Sequence, residues 1–166
     1  MTLLEEKDIR SLRRATNYRS IPLVRMKAVK EKKLRYDEDN KLCLPGKVAR
    51  FAYPLFKGLD REKIVVVDLD AQLIPTAIEV IAIGAANRCI ADVANIFKHA
   101  CLSNASSLVL LHNHPSGNLE PSEEDTELTK NLLKAGEILG IHLQDHIIMG
   151  DDQQYFSFRE KSNLWD

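Results

Sequence analysis

The sequence has few of the features that mark specialised protein classes. Its three cysteines, Cys43, Cys89 and Cys101, are an odd number without CxxC spacing. That excludes a disulfide framework or a cysteine-zinc site and favours the reducing cytosol. No apolar run reaches about 18 residues and no signal peptide is evident, so no membrane segment or export is expected. With only 7 glycines and 6 prolines in 166 residues, the chain is neither collagen-like nor of low complexity.

The charge of the chain is nearly balanced but unevenly distributed. The net charge of -1 gives no general electrostatic reason to expect a nucleic-acid partner. Residues 1–42 nevertheless hold 12 Lys and Arg against 7 Asp and Glu, whereas the remainder holds 11 against 17. The basic end either contacts an anionic partner or is simply solvated. DNA therefore stays open as a partner, without support from the net charge.

The order of apolar runs predicts one α/β domain. A chain of 18.8 kDa has the length of a single domain. From residue 62 to residue 158 short β-branched runs alternate with helical periodicity, which indicates helices packed on a sheet, with the first sixty residues as an N-terminal extension. Strands are predicted at 63–69, 77–83, 107–112, 141–149 and 154–158, and helices at 47–57, after Asp92 and after Ser122. The inner helix faces are predicted to be Val93, Ile96, Phe97, Ala100 and Cys101, then Leu128, Leu132, Ala135 and Leu139.

Two histidines at the end of a buried strand form the strongest chemical signal. Residues two apart in an extended backbone point to the same side, so His112 and His114 can converge on one point. The stiff loop Pro115–Pro121 then delivers Asp125 to the first turn of the next helix. A zinc ion needs about three protein ligands and keeps a fourth position for water when it is catalytic. His112, His114 and Asp125 supply nitrogen, nitrogen and oxygen donors.

A structural interpretation of the same residues also exists. Ser122 followed three residues later by Asp125 resembles a helix capping box, which requires no metal. The two interpretations are compatible, because Ser122 can cap the helix while Asp125 faces the ion. Asp145 is a candidate carboxylate partner of a ligand imidazole, although a plain structural hydrogen bond is the alternative. His99 and His142 are interpreted as ordinary surface residues.

The full set of motifs resembles a known family. His112 and His114, with seven residues before Ser122 and two more before Asp125, match the H-x-H-x(7)-S-x-x-D motif of the JAMM (MPN+) metalloproteases. The strings HNHPSG, PSEED, DHIIMG and SFRE resemble its RadC branch. The resemblance covers Leu44–Trp165 and implies a basic extension at 1–43 and a RadC-like domain at 44–166. It implies the JAB/MPN fold, a mixed β-sheet flanked by helices with a layout like that of cytidine deaminases.

The resemblance also implies a reaction and roles for individual residues. A zinc-dependent hydrolase of peptide or isopeptide bonds is implied, with a metal-activated water as nucleophile. Zn²⁺ would be held by His112, His114 and Asp125. Glu62, just before the strand KIVVVDL, matches the glutamate that acts as general base, and Glu79 inside the next strand is its rival. The Ser122 hydroxyl would donate to the developing oxyanion.

Some expectations remain open at the level of sequence. RadC proteins carry Pro-Arg-Glu where this chain has Val93-Ala94-Asn95, so an anion-binding arginine fork is lost. The alternative function is a non-enzymatic module, associated with DNA repair or with a protein assembly, that holds a structural metal. The expected partner is a protein or peptide substrate. A homodimer is open, and no membrane partner is expected.

Overall fold

The described part of the protein is a five-stranded mixed β-sheet covered by helices on both faces. The computed structural model describes residues 41–84 and 92–165, together with residues 22, 24–26, 29 and 31. Most of the predicted N-terminal extension at 1–43 and Cys89 therefore lie outside the described residues. Within them, no helix is both long and apolar enough to cross a membrane. The α/β fold class predicted from the sequence is confirmed.

The elements follow the predicted alternation closely. They are, in chain order, α1 (Pro45–Ala52), a 3-10 turn (Tyr53–Leu55), β1 (Lys63–Leu69), β2 (Pro75–Ile83), α2 (Val93–Ser103), β3 (Ser107–Asn113), α3 (Glu123–Leu139), β4 (His142–Met149), a 3-10 turn (Asp151–Gln153), β5 (Tyr155–Ser157) and α4 (Phe158–Lys161). The helix predicted at 47–57 is shorter because Pro54 lies in the first 3-10 turn, where the α-helix has ended.

Strand pairing places β3 in the middle of the sheet. The strand order is β2-β1-β3-β4-β5. β1 pairs antiparallel with both β2 and β3. β3 and β4 pair directly in parallel, and α3 connects them in the sequence. Every residue of β3 is buried, because helices cover both faces of the central strands. The end of this buried strand carries the two candidate histidines.

Alternate residues of each strand enter two separate hydrophobic cores. Val109 and Leu111 pack on α1 together with Leu42, which lies two residues before the predicted start of the domain at residue 44. Leu108 and Leu110 pack on α2 and α3 on the opposite face. The face that contains α3 is the one toward which His112 points, since β3 alternates regularly.

The helix ends are capped as the sequence indicates, whereas two predicted core positions are wrong. The Asp92 side chain accepts a hydrogen bond from Ala94 N at the start of α2, and Gly140 ends α3 with a φ of 68°. Cys101 and Leu139, however, are exposed at the C-terminal turns of their helices. Periodicity assigns both to the inner side of their helices but does not reveal which positions the sheet actually covers.

His99 is not the ordinary surface residue that the sequence suggested. Only 17% of its side chain is exposed, and its Nδ1 lies 2.7 Å from a carboxylate oxygen of the fully buried Asp68. Its Nε2 lies 3.4 Å from Glu79. The Ser103 hydroxyl also donates to Asp68 over 2.6 Å. His99 therefore ties α2 to β1 and β2. His142 is exposed, as predicted.

Candidate metal centre

The end of β3 delivers both histidines to one side of the sheet. His112 is buried inside the strand, and His114 lies just beyond it and is about half-buried. The chain then turns back, with Gly117 N donating to His114 O over 3.0 Å. Gly117 has a φ of +74°, a left-handed conformation that favours glycine. This turn brings the N-terminus of α3, and with it Asp125, to the histidines.

Three ligand atoms converge at this point. The Nε2 atoms of His112 and His114 are 3.0 Å apart. Asp125 Oδ1 lies 3.2 Å from His112 Nε2, and Asp125 Oδ2 lies 3.3 Å from His114 Nε2. The structure thus brings together the three residues that the sequence singled out. Among the described residues they are the one group of histidine, cysteine or acidic side chains arranged to hold a metal ion.

The hydrogen bond on the far side of His114 fixes which tautomer its neutral ring adopts. His114 Nδ1 lies 2.7 Å from the backbone oxygen of Asn118. A carbonyl only accepts, so Nδ1 carries a proton. In the neutral ring the lone pair is then on Nε2, the atom that faces the Asp125 carboxylate. Lone pairs at this distance repel unless a cation lies between them.

The protonation equilibria of the site agree with this demand for positive charge. The hydrogen bond to Asp125 raises the pKa of His114, although burial works against it. Burial alone would raise the pKa of Asp125, but the hydrogen bonds of His112 and His114 outweigh it and hold that pKa well below its usual range. A metal ion supplies the same positive charge that protons would otherwise bring.

The spacing of these atoms also fits a tetrahedral ion. Zinc binds histidine nitrogen and carboxylate oxygen at about 2.0–2.2 Å, and tetrahedral ligands at that range lie about 3.3 Å from one another. The two imidazole nitrogens lie 3.0 Å apart, and each lies 3.2 or 3.3 Å from a different oxygen of the Asp125 carboxylate. One ligand atom from each of the three residues lies within 4.8 Å of the others. The donor set and its spacing therefore fit a zinc ion with one position left over.

Ser122 and Asp125 form the capping box as well as contributing to the site. The Ser122 hydroxyl accepts from Asp125 N over 3.0 Å and donates to Asp125 Oδ2 over 2.6 Å. Ser122 N also donates to Asp125 Oδ2 over 2.9 Å. The Asp125 carboxylate can therefore serve both as part of the helix cap and as a candidate metal ligand. In this arrangement the hydroxyl proton of Ser122 is directed at Asp125.

The charge of Glu62 acts on this centre, and Glu79 is engaged elsewhere. The negative charge of Glu62 adds to the causes that raise the pKa of His114. The peptide groups on either side of Glu62 are held by Asn113, whose side chain accepts from Lys63 N and donates to Arg61 O. Glu79 instead contacts His99.

His146, which the sequence did not single out, lies directly behind the site. His146 Nε2 is 2.8 Å from His112 Nδ1, and burial holds the pKa of His146 well below its ordinary value. The neighbouring Asp145, proposed for this place, points to the other face and bonds Ser157 and the Arg159 N–H. A register shift in the pairing of β4 with β3 skips Gln144. Such a bulge reverses the alternation, and nothing in the sequence announces it.

Comparison with known proteins identifies the family. The RadC-like JAB domain matches residues 42–164, which include every residue of the candidate site. The chain belongs to the RadC-like JAB domain family. This membership supports a JAMM-like metal-binding hydrolase at the level of the family. The RadC resemblance predicted from the motifs is thereby confirmed.

Relatives of this RadC-like chain occur in bacteria and archaea. A UPF0758 protein of Picosynechococcus is 43% identical over 107 residues, covering 64% of this chain and 44% of the relative. Another, from Caldanaerobacter subterraneus, is 41% identical over 124 residues, covering 75% and 53%. A third, from Methanosarcina acetivorans, is 37% identical over 121 residues, covering 73% and 52%. The chain therefore spans about half the length of the relatives it matches.

Proposed function

We propose that this RadC-like chain is a zinc-dependent hydrolase of peptide or isopeptide bonds, with a protein or peptide as substrate. The observation that carries the proposal is the convergence of His112 Nε2, His114 Nε2 and Asp125 within 3.3 Å of one another. Their donor types favour zinc over magnesium or calcium, which prefer oxygen ligands. The geometry leaves a fourth position, as hydrolytic zinc sites require.

The residues around the ligands divide the work of the reaction. Zinc, when bound, lowers the pKa of a water from 15.7 to about 7 and polarises a carbonyl. Glu62 is the general base: its carboxylate accepts the proton of the attacking water and passes it to the departing amine. Asn113 holds the peptide groups on either side of Glu62, which restricts where this carboxylate can move.

Ser122 can stabilise the oxyanion of the reaction only if its hydroxyl leaves its present hydrogen-bond acceptor. Its hydroxyl donates to Asp125 Oδ2 over 2.6 Å. When the charge of Asp125 is engaged by a cation, the same hydroxyl can rotate toward the oxygen of the substrate carbonyl, where it stabilises the developing negative charge. Ser122 then acts as oxyanion donor while its oxygen still accepts from Asp125 N.

Two glutamate variants test the proposal. Purified chain with added zinc is incubated with whole-cell extract. New peptide N-termini and newly freed lysine ε-amines are counted by mass spectrometry, with a chelator-treated sample as blank. Glu62→Gln should bind zinc like the parent yet lose cleavage, whereas the matched Glu79→Gln should keep both. Cleavage retained by Glu62→Gln would remove Glu62 from the role. Absence of zinc-dependent cleavage by the parent would overturn the hydrolase itself.

A further inference from the structure

A buried chain of hydrogen bonds runs behind His112 and returns to Asp125. His112 Nδ1 lies 2.8 Å from His146 Nε2, and His146 Nδ1 lies 2.7 Å from the Thr129 hydroxyl. That hydroxyl donates to the backbone oxygen of Asp125 over 2.6 Å. Thr129 and His146 are fully buried, and His112 nearly so. His112 and Asp125, two of the three proposed ligands, are thus joined through His146 and Thr129. Neither His146 nor Thr129 is itself a proposed ligand of the metal.

The number of protons available along this series of hydrogen bonds determines which atom donates in each of them. The carbonyl of Asp125 has no proton to give, so the single proton of Thr129 goes there. The Thr129 oxygen must then accept from His146 Nδ1–H. A second proton on His146 would create a fully buried cation whose contacts are Thr129, His112 and the stacked ring of Phe158, and none of these is anionic. His146 Nε2 is therefore an acceptor.

The consequence reaches the metal-facing edge of His112. Because His146 Nε2 accepts, His112 Nδ1 carries the proton and donates it, and the lone pair of His112 is left on Nε2. That atom is the one directed at His114 and Asp125. His114 receives the same protonation pattern from the Asn118 carbonyl. Ligand histidines usually donate to a carboxylate, carbonyl or water, and here an imidazole takes that place.

We propose that Thr129 and His146 are positioning residues that hold His112 in the Nδ1–H tautomer and so present its Nε2 to the metal. The inference rests on the proposed zinc site and concerns how that site is prepared. Because the chain ends on the carbonyl of Asp125, it also fixes the ring of His112 relative to the helix turn that carries the third ligand. Loss of Thr129 would leave His146 Nδ1–H without its acceptor in a buried place.

Zinc affinity and ring protonation test this inference together. The dissociation constant of zinc, measured by competition with a chromophoric chelator, should rise about 10–100-fold in Thr129→Val. Thr129→Ser, which keeps the hydroxyl, should stay near the parent. In the zinc-loaded parent, two-bond ¹H–¹⁵N correlation spectra of the rings should show His146 protonated at Nδ1 and bare at Nε2. Thermal unfolding verifies that each variant is folded.

The outcomes separate this inference from the proposed function. A parent that binds zinc while His146 carries its proton on Nε2 would overturn the positioning role and leave the zinc site standing. Unchanged zinc affinity in a folded Thr129→Val would do the same. A parent that binds no zinc would overturn both. The spectra use the unaltered protein, so the positioning role stays testable even if Thr129→Val fails to fold.

Discussion

The side-chain oxygen of Asn113 accepts a hydrogen bond from the backbone N–H of Lys63 over 2.9 Å, across fifty residues of chain. The same side chain donates to the carbonyl of Arg61 over 3.2 Å. Asn113 stands between the two candidate ligands in sequence, yet it points to the opposite side of β3. One strand end thus supplies the two proposed histidine ligands and also secures the segment that carries Glu62.

Replacement of Asn113 should affect stability and hydrolysis together. Asn113→Ala leaves the Lys63 N–H and the Arg61 carbonyl without this partner, which should lower the free energy of unfolding by about 1–3 kcal/mol. It should also lower kcat more than it raises KM, because Glu62 loses its fixed position. Urea unfolding measures the first effect and steady-state kinetics on a peptide identified by the cleavage screen measures the second.

The exposed Asn95 provides the matched control for this test. Asn95→Ala should change the free energy of unfolding by no more than about 0.5 kcal/mol and leave the kinetics alone. If Asn113→Ala behaved like Asn95→Ala in both measurements, the hydrogen bonds of Asn113 around Glu62 would contribute neither to stability nor to catalysis.

Zinc should stabilise the folded protein only when its ligands are present. An ion that binds the native state alone stabilises it by about 2.7 kcal/mol at one hundred times its Kd, which corresponds to a rise in Tm of about 5–10 °C at this size. Chelator-treated parent should show this rise on addition of zinc, measured by differential scanning calorimetry. His112→Ala and Asp125→Asn should not.

The exposed His142 is the natural control for the ligand variants. His142→Ala should gain stability from zinc as the parent does, because this residue contributes no atom to the site. An equal rise in Tm in His112→Ala would show that the ion binds elsewhere.

The pairing of His99 with Asp68 should make stability depend on pH in a defined direction. The hydrogen bond to buried Asp68 raises the pKa of His99 above its ordinary value of 6.5, against the effect of burial and with help from the charge of Glu79. A raised folded-state pKa gives a contribution that is complete below about pH 6.5 and is lost as the pH rises through the elevated pKa. His99→Gln should therefore destabilise the protein most at acidic pH.

Urea unfolding of the parent and of His99→Gln at a series of pH values measures this difference directly. The gap in the free energy of unfolding should narrow from pH 6 toward pH 9. A gap that stayed constant or widened with pH would contradict the assignment. His142→Gln should show no such trend, since His142 is exposed.

Gly136 should not tolerate even a methyl group. A Cβ built on this residue of α3 would lie 2.6 Å from the backbone oxygen of Ile141, where the chain enters β4. Alanine favours helices over glycine by about 1 kcal/mol, but the overlap with a backbone atom should outweigh that gain and cost about 1–3 kcal/mol net.

The midpoint of urea unfolding measures the effect of Gly136→Ala. Glu137→Ala, at the exposed neighbouring position, should stay within about 0.5 kcal/mol of the parent. A Gly136→Ala protein as stable as the parent would show that α3 can move away from β4 at little cost.

Local signals in the sequence predict most of the fold and the three residues of the candidate metal site. The β-branched run of β1 gives that strand its observed bounds, Lys63–Leu69. Two histidines at strand spacing and a capping-box acid give the ligand set, because each signal depends on neighbours only a few residues away. His146 could not be found in this way. Its approach to His112 depends on the parallel pairing of β3 with β4 and on the bulge at Gln144.

The carboxylate of Asp125 belongs at once to the ligand set and to the first turn of α3, where it accepts from Ser122 N. Occupancy of the ion and order of that turn are therefore linked. Without the ion, only the capping box of Ser122 and Asp125 holds the beginning of a seventeen-residue helix. Exchange rates of the amide hydrogens from Ser122 to Thr126 would then report the fraction of molecules that hold a bound ion.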